Sequence, residues 1–188
     1  MRDLQAGSMP LLRGQLLVAH PQLRDPNFRE SVVLISAHSP EDGALGVILN
    51  RPTGRVLGDI KEDFRDHGLA RVPVFQGGPV SSNELLLAGW RWLEDDGMFQ
   101  LFFGVSAEKL LDLRDEFPDL DARAFAGYAG WSSGQLEGEL QQNSWVVAGL
   151  RREYLGNDAD WPWRTILTAE NPDVWGFLRD IPDDPSRN

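Results

Sequence analysis

Apolar residues in this chain gather in short runs of strand length. Gln15–His20 (QLLVAH) and Ser31–His38 (SVVLISAH) are two such runs, and Ala44–Asn50 (ALGVILN) is a third, entered through the turn Pro40–Gly43. Their near-continuous apolarity predicts strands buried on both faces. Gly46, inside the third run, predicts a bulge or a close backbone approach. Val74–Phe75, Leu85–Trp90 and Met98–Phe103 read as further strands, divided by Gly77-Gly78-Pro79 and by Asp95-Asp96-Gly97. The second divider is a hairpin turn signal. Arg123–Tyr128 and Trp145–Ala148 complete the set.

Helical spacing is rarer. Val56–Phe64 reads as one short helix. Ser106 caps a helix whose Leu110, Leu113 and Phe117 share a face, and Pro118 stops it. The best-specified helix runs from Ser133 to about Gln142. Ser132 is its expected N-cap, Gln135 closes a capping box, and Trp131 staples onto Leu136. Glu137 and Glu139 then lie near the positive end of the dipole. Two short helices follow, one after Asp160 with Pro162 in its first turn and one opened by Asn171-Pro172.

Strands outnumber helices and come in hairpin-like groups, so the pattern predicts an α+β (mixed α/β) fold, a mixed sheet with helices packed around it. At 188 residues one domain is the simplest division. It is expected over 10–180, after a flexible leader, 1–9, and before a mobile tail, 181–188. Met9 is an alternative start. The first ten residues lack the apolar stretch of a secretory signal.

Composition narrows the chemistry. There is no cysteine, which removes disulfides, thiolate nucleophiles and sulfur-ligated zinc, and fits a cytoplasmic, reducing setting. No run approaches the ~20 apolar residues of a membrane span. The net charge is −11 and the pI about 4.6, so direct nucleic-acid binding is disfavoured. Lys61 and Lys109 are the only lysines. The arginines that make up the other basic residues can serve as bidentate anion hooks or simply as solvated charge.

Several motifs invite a function. Gly130-Trp131-Ser132-Ser133-Gly134 spells a nucleophile elbow between a strand and a helix. A hydrolase of that kind needs its acid and histidine after the serine, whereas His20, His38 and His67 all precede it. Capping and glycine turns also explain the pentapeptide. A metal held by His20 and His38, with Asp25, fails on geometry. The short link predicts antiparallel strands, which puts the two rings roughly 20–25 Å apart at ~3.3 Å per residue. No metal and no cofactor are expected. Gly77-Gly78-Pro79 could form an anion-binding nest or merely a turn, and it lacks the lysine of a nucleotide loop. Asn50-Arg51-Pro52 places an amide and a guanidinium at a strand end, as a pocket corner or as a strand-ending turn. Trp161-Pro162-Trp163 and Trp175 make an aromatic patch suited to core packing or to an interface. The acidic runs 94–96 and 112–116 read as solvated surface.

In order, Leu16–Pro21, Asp25-Pro26-Asn27-Phe28, Ser31-Val32-Val33-Leu34, Gly43–Pro52, Gly77-Gly78-Pro79-Val80, Gly127–Trp131, Gly134-Gln135-Leu136-Glu137, Asn143-Ser144-Trp145 and Pro185–Asn188 resemble the YqgE/AlgH family over nearly the whole chain. The resemblance implies a single domain on a bulged, coiled mixed sheet. The family is labelled one of transcriptional regulators and has no established reaction, substrate or cofactor. Ser132-Ser133 stands where relatives often carry Gly-Pro, and Arg187 where they usually end on an apolar residue; the first departure weakens Ser132 as a family nucleophile. Carried over by position, the family's polar motif falls on Asp25, Asn50, Arg51, Gly77, Gly78, Gly130, Trp131 and Gln135, a candidate binding surface. The expected role is a non-enzymatic regulator that binds a small anionic ligand or a protein partner. A hydrolase using Ser132 and a direct DNA binder are the alternatives.

Overall fold

The computed structural model describes residues 11–93, 98–154 and 163–178, with the backbone alone at 153 and 175. The expected leader, the Asp95-Asp96-Gly97 turn, Trp161-Pro162, the Trp175 ring and the expected tail lie outside the described residues.

Among the described residues nine strands form one sheet: β1 Leu16–Ala19, β2 Val32–Ser39, β3 Gly43–Ile48, β4 Pro52–Val56, β5 Pro73–Gln76, β6 Val80–Leu93, β7 Met98–Phe103, β8 Asp121–Trp131 and β9 Trp145–Ala148. Their order is β4-β5-β8-β3-β2-β1-β9, with β6 also on β8 and β7 on β6. Every pairing is antiparallel except β5 with β8. The sheet is therefore mixed, and α1 Leu57–Ile60, α2 Ala107–Glu116, α3 Gln135–Gln141, α4 Trp163–Glu170 and α5 Trp175–Leu178 complete an α+β domain.

The apolar runs are buried on both faces, with the period of two that a strand imposes. Leu16, Val18, Val32 and Leu34 face a core closed by Trp163, Ile166, Leu167, Val174 and Leu178. Leu17, Ala19, Val33 and Ile35 face the opposite core, closed by Trp131, Leu136 and Trp145. A third cluster packs Leu110 and Leu113 of α2 on β5, β6 and β8. Ser106 caps that helix as expected, its Oγ accepting the Lys109 N–H at 3.2 Å.

Glycines let the sheet coil. The β2–β3 register shifts between Ile35 and Ala37, opposite Gly46, where a Cβ would lie 2.6 Å from the Leu34 carbonyl oxygen. Gly127 lies within β8 at φ +72°. Along its length β8 serves different partners: β5 and β6 over Asp121–Tyr128, then β3 over Ala129–Trp131.

Three expectations need correction. Asn50-Arg51-Pro52 does not end in a plain turn, because Pro52 opens the edge strand β4. Its missing N–H costs nothing at the first residue of an edge strand. Val56–Phe64 is not one helix, since an extended Lys61 divides α1 from the single 3₁₀ turn Glu62–Phe64. The helix expected from Ser133 begins at Gln135, with Gly134 as N-cap at φ +74°. Trp131 still belongs to β8, so the chain needs Ser132–Gly134 to turn the corner.

Candidate functional site

The C-terminal ends of β1 and β3 and the entries of β2 and β9 meet at one end of the sheet. Ala19 N–H donates to Ser31 O, Leu49 N–H to Val32 O and His20 N–H to Ser144 O. The 25–30 loop folds over this end, and three of the proposed site residues act on it. The Asp25 carboxylate accepts the Asn27 N–H at 2.7 Å, and Asp25 O accepts the N–H groups of Phe28 and Arg29. Asn50 Oδ1 accepts the Val32 N–H at 2.9 Å, while Asn50 Nδ2 donates to Glu30 O at 2.8 Å. Arg51 donates from Nη1 to Asn27 O at 2.7 Å and from Nη2 to Arg29 O at 3.1 Å, with Pro26 O at the outer limit of 3.5 Å. A guanidinium presents its donors as a fixed fork, so it can gather carbonyls that point the same way at the end of a turn. Burial, and after it the charge of Arg29, lowers the Arg51 pKa, with Asp25 and Glu30 opposing.

Gly77 and Gly78 lie beside this corner. Gln76 N–H donates to Arg51 O, Ile48 N–H to Gly77 O and Gly77 N–H to Ala126 O. A Cβ on Gly77 would stand 2.2 Å from Gly127 O, and one on Gly78 would stand 2.2 Å from the Tyr128 carbonyl. The Gly77 amide is therefore spent on a neighbouring strand, and the pair serves a close crossing of backbones.

Trp131 and Gln135 reach the same end from the other side. Glu139 Oε2 accepts indole N–H groups from both Trp131, at 2.9 Å, and Trp145, at 2.7 Å. Gln135 Nε2 donates to Glu139 Oε1 at 3.0 Å, and Gln135 Oε1 accepts the N–H and the hydroxyl of Ser132. Phe28, from the loop, stacks on Trp131 at 5.9 Å and meets Trp145 edge-on at 5.6 Å. Asp25, Asn50 and Arg51 are thus joined to Trp131 and Gln135 through one loop with an aromatic plug. Gly130 stays apart from that network: it is exposed and pairs with Leu45 of β3.

Ser132 donates its hydroxyl to an amide oxygen, which cannot take a proton as a base would. His38 is turned elsewhere. Its Nδ1 accepts the Leu12 N–H at 3.1 Å, and its Nε2 lies 2.9 Å from Glu137 Oε1, so in this arrangement the ring proton sits on Nε2. That bond, and after it the residue's own backbone amide, holds the Glu137 carboxyl below its ordinary range. The antiparallel β1–β2 pairing does put His20 and His38 at opposite ends. Among the described residues no group of three or more His, Asp or Glu could hold a metal, and no helix is long and apolar enough to cross a membrane.

Sequence reading missed Glu139, which looked like a dipole charge and instead joins two indoles. It also missed Arg123, 4% exposed, its guanidinium 4.8 Å from the Phe75 ring, 4.9 Å from the Trp90 ring and bonded to Asp121 at 3.0 Å. An arginine placed among strand residues Ala122, Ala124 and Phe125 was the available signal.

A mixed-sheet α+β domain with a polar clamp over one sheet end is the class of protein that this geometry defines. Comparison with known proteins agrees. A family model described as AlgH-like matches residues 16–175. A UPF0301 protein of Streptomyces coelicolor is 41% identical, covering 94% of this chain and 95% of that protein, and one of Thermobifida fusca is 34% identical over 94% and 96%. The solution structure of AlgH from Pseudomonas aeruginosa matches with a TM-score of 0.65 at 24% identity, covering 89% of this chain and 92% of that one. The crystal structure of protein DIP2367 from Corynebacterium diphtheriae matches with a TM-score of 0.67 at 22% identity, covering 90% and 92%. The structural likeness speaks for the fold alone. The chain belongs to the AlgH-like family.

Proposed function

We propose that this chain is a cytoplasmic, non-enzymatic regulatory protein that works by binding a partner protein at its 25–30 loop. The observation that carries this reading is the Arg51 guanidinium, whose bonds are spent on loop carbonyls. Asp25, Asn27, Arg29 and Glu30 are exposed on that loop and Arg24 just before it, while Phe28 anchors it from beneath. Ordering such a loop in advance reduces the entropy lost on association. Regulation through a protein suits a net charge of −11 better than contact with DNA.

A photo-crosslinking residue at Asn27 tests the proposal, with a second at exposed Glu108 as control. A discrete crosslinked species is expected in cells from position 27 only, and it should fade when Arg51→Ala loosens the loop. Equal crosslinking from both positions, or none from position 27, refutes it. The small-anion form of the reading requires Arg51 to exchange its carbonyls for the ligand. Stabilisation of the wild type by inorganic phosphate, absent in Arg51→Ala, would favour that form over the protein partner.

A further inference from the structure

An open cleft of about 410 Å3 lies at the same end of the sheet, lined by His20, Gln22, Asn143, Trp145, Val146, Asn171 and Phe177. Its volume falls within the ~300–1,000 Å3 of small-molecule sites. Among the described residues no charged side chain lines it. The lining combines an imidazole and three carboxamides with an indole, a valine and a phenyl ring.

Most of its polar side-chain groups have no hydrogen-bond partner among the described residues. The His20 side chain belongs to a residue only 9% exposed, and its Nδ1 accepts the Gln22 N–H at 3.3 Å. The ring proton of the neutral form therefore sits on Nε2, which has no hydrogen-bond partner among the described residues. Burial lowers the His20 pKa, which favours that neutral form. The carboxamides of Gln22, Asn143 and Asn171 likewise have no partner among the described residues. Asn143 is held at φ +55°, a conformation that asparagine tolerates better than most residues. Phe177 is 46% exposed and meets the His20 ring edge-on at 5.4 Å. Such a ring, half open to solvent beside a cleft, offers a stacking face.

We infer that this cleft binds an uncharged planar heterocycle with an amide-like donor–acceptor edge, the chemistry of a nucleobase. A carboxamide offers a donor and an acceptor side by side, and so pairs with heterocycle edges that do the same. Aromatic faces accept any such ring by stacking. The described residues that line the cleft supply no cation for a phosphate, and the protein's net charge of −11 disfavours one. The inference is independent of the partner-binding reading, although Trp145 touches both places.

The test is titration of the full chain with adenosine, guanosine, cytidine and uridine, each to about 5 mM. Two-dimensional NMR follows the side-chain amides of Gln22, Asn143 and Asn171 and the Trp145 indole. At least one nucleoside should shift these signals saturably. Phe177→Ala and Asn143→Asp should each weaken it about tenfold, the loss of roughly one stacking or hydrogen-bonding contact. Thermal melting of both variants checks that they remain folded; Phe177 is exposed, and aspartate accepts the Asn143 backbone angle. Three results overturn the inference: no shift of these signals with any nucleoside, unchanged affinity in both folded variants, or a nucleoside monophosphate binding much more tightly than its nucleoside.

Discussion

The Arg51 corner and the His20 cleft occupy the same end of one sheet and use polar side chains in opposite ways. At the corner, the donors of Asn50 and Arg51 meet backbone carbonyls, and neighbouring backbone fills the space that side chains on the glycine pair would need. At the cleft, an imidazole nitrogen and three carboxamides line open space without partners among the described residues. The first arrangement closes a structure; the second leaves capacity for something else. The contrast separates a polar motif that orders a loop through bonds already made from polar groups that face open space.

Three measurements would break or sharpen this contrast. Gly78→Ala should have the largest effect. Its Cβ would meet Tyr128 backbone atoms at 2.2 Å, and no rotamer change can relieve that. A loss of at least about 3 kcal/mol, or failure to fold, is expected in urea denaturation. A variant as stable as the wild type would remove the close-crossing role and restore the anion nest.

Arg51→Ala comes next. Losing charge-assisted bonds to Asn27 O and Arg29 O should cost about 2 kcal/mol. Amide exchange should rise across 26–30 but not in β6. Arg51→Lys should recover only part, because an ammonium cannot reproduce the fork. Unchanged exchange in the loop would mean that the arginine is free to serve a ligand.

Glu137→Gln should have the smallest effect and a definite sign with pH. The wild-type carboxyl is held below 4.5 in the folded state by His38 first. Its contribution is therefore complete above 4.5 and is lost as pH falls through the folded value. Wild type and variant should differ by about 1 kcal/mol near neutrality and converge in acid. A gap that persists below the folded value of the carboxyl would mean that the His38 hydrogen bond is wrongly drawn.

The strands were legible because burial on both faces leaves unbroken apolar runs such as LLVA and VVLI. Gly46 was legible for the same reason, since a glycine among large residues stands out. β4 was hidden because it begins at a proline and is exposed at Pro52–Arg55, so no apolar pattern marks it. The start of α3 was misplaced because Ser132 and Gln135 satisfy the capping pattern even though their bonds close a turn rather than the helix. The motif positions were found, but their roles depend on what faces them across the sheet. The cleft was less visible still. Gln22, Asn143, Asn171 and Phe177 are scattered along the chain, and nothing in their local spacing shows that β1, β9 and the C-terminal helices bring them together.

That last assembly bears on how the molecule is made. β1 is flanked by β2 and β9, and the Trp163 indole donates to Ala19 O across 144 residues of sequence. During synthesis β1 must wait on one side until β9 emerges, its open edge exposed to any passing strand. Loop closure over such distances slows folding, and half-finished sheets are prone to aggregate. Truncations before β9 should therefore yield insoluble protein rather than smaller stable domains.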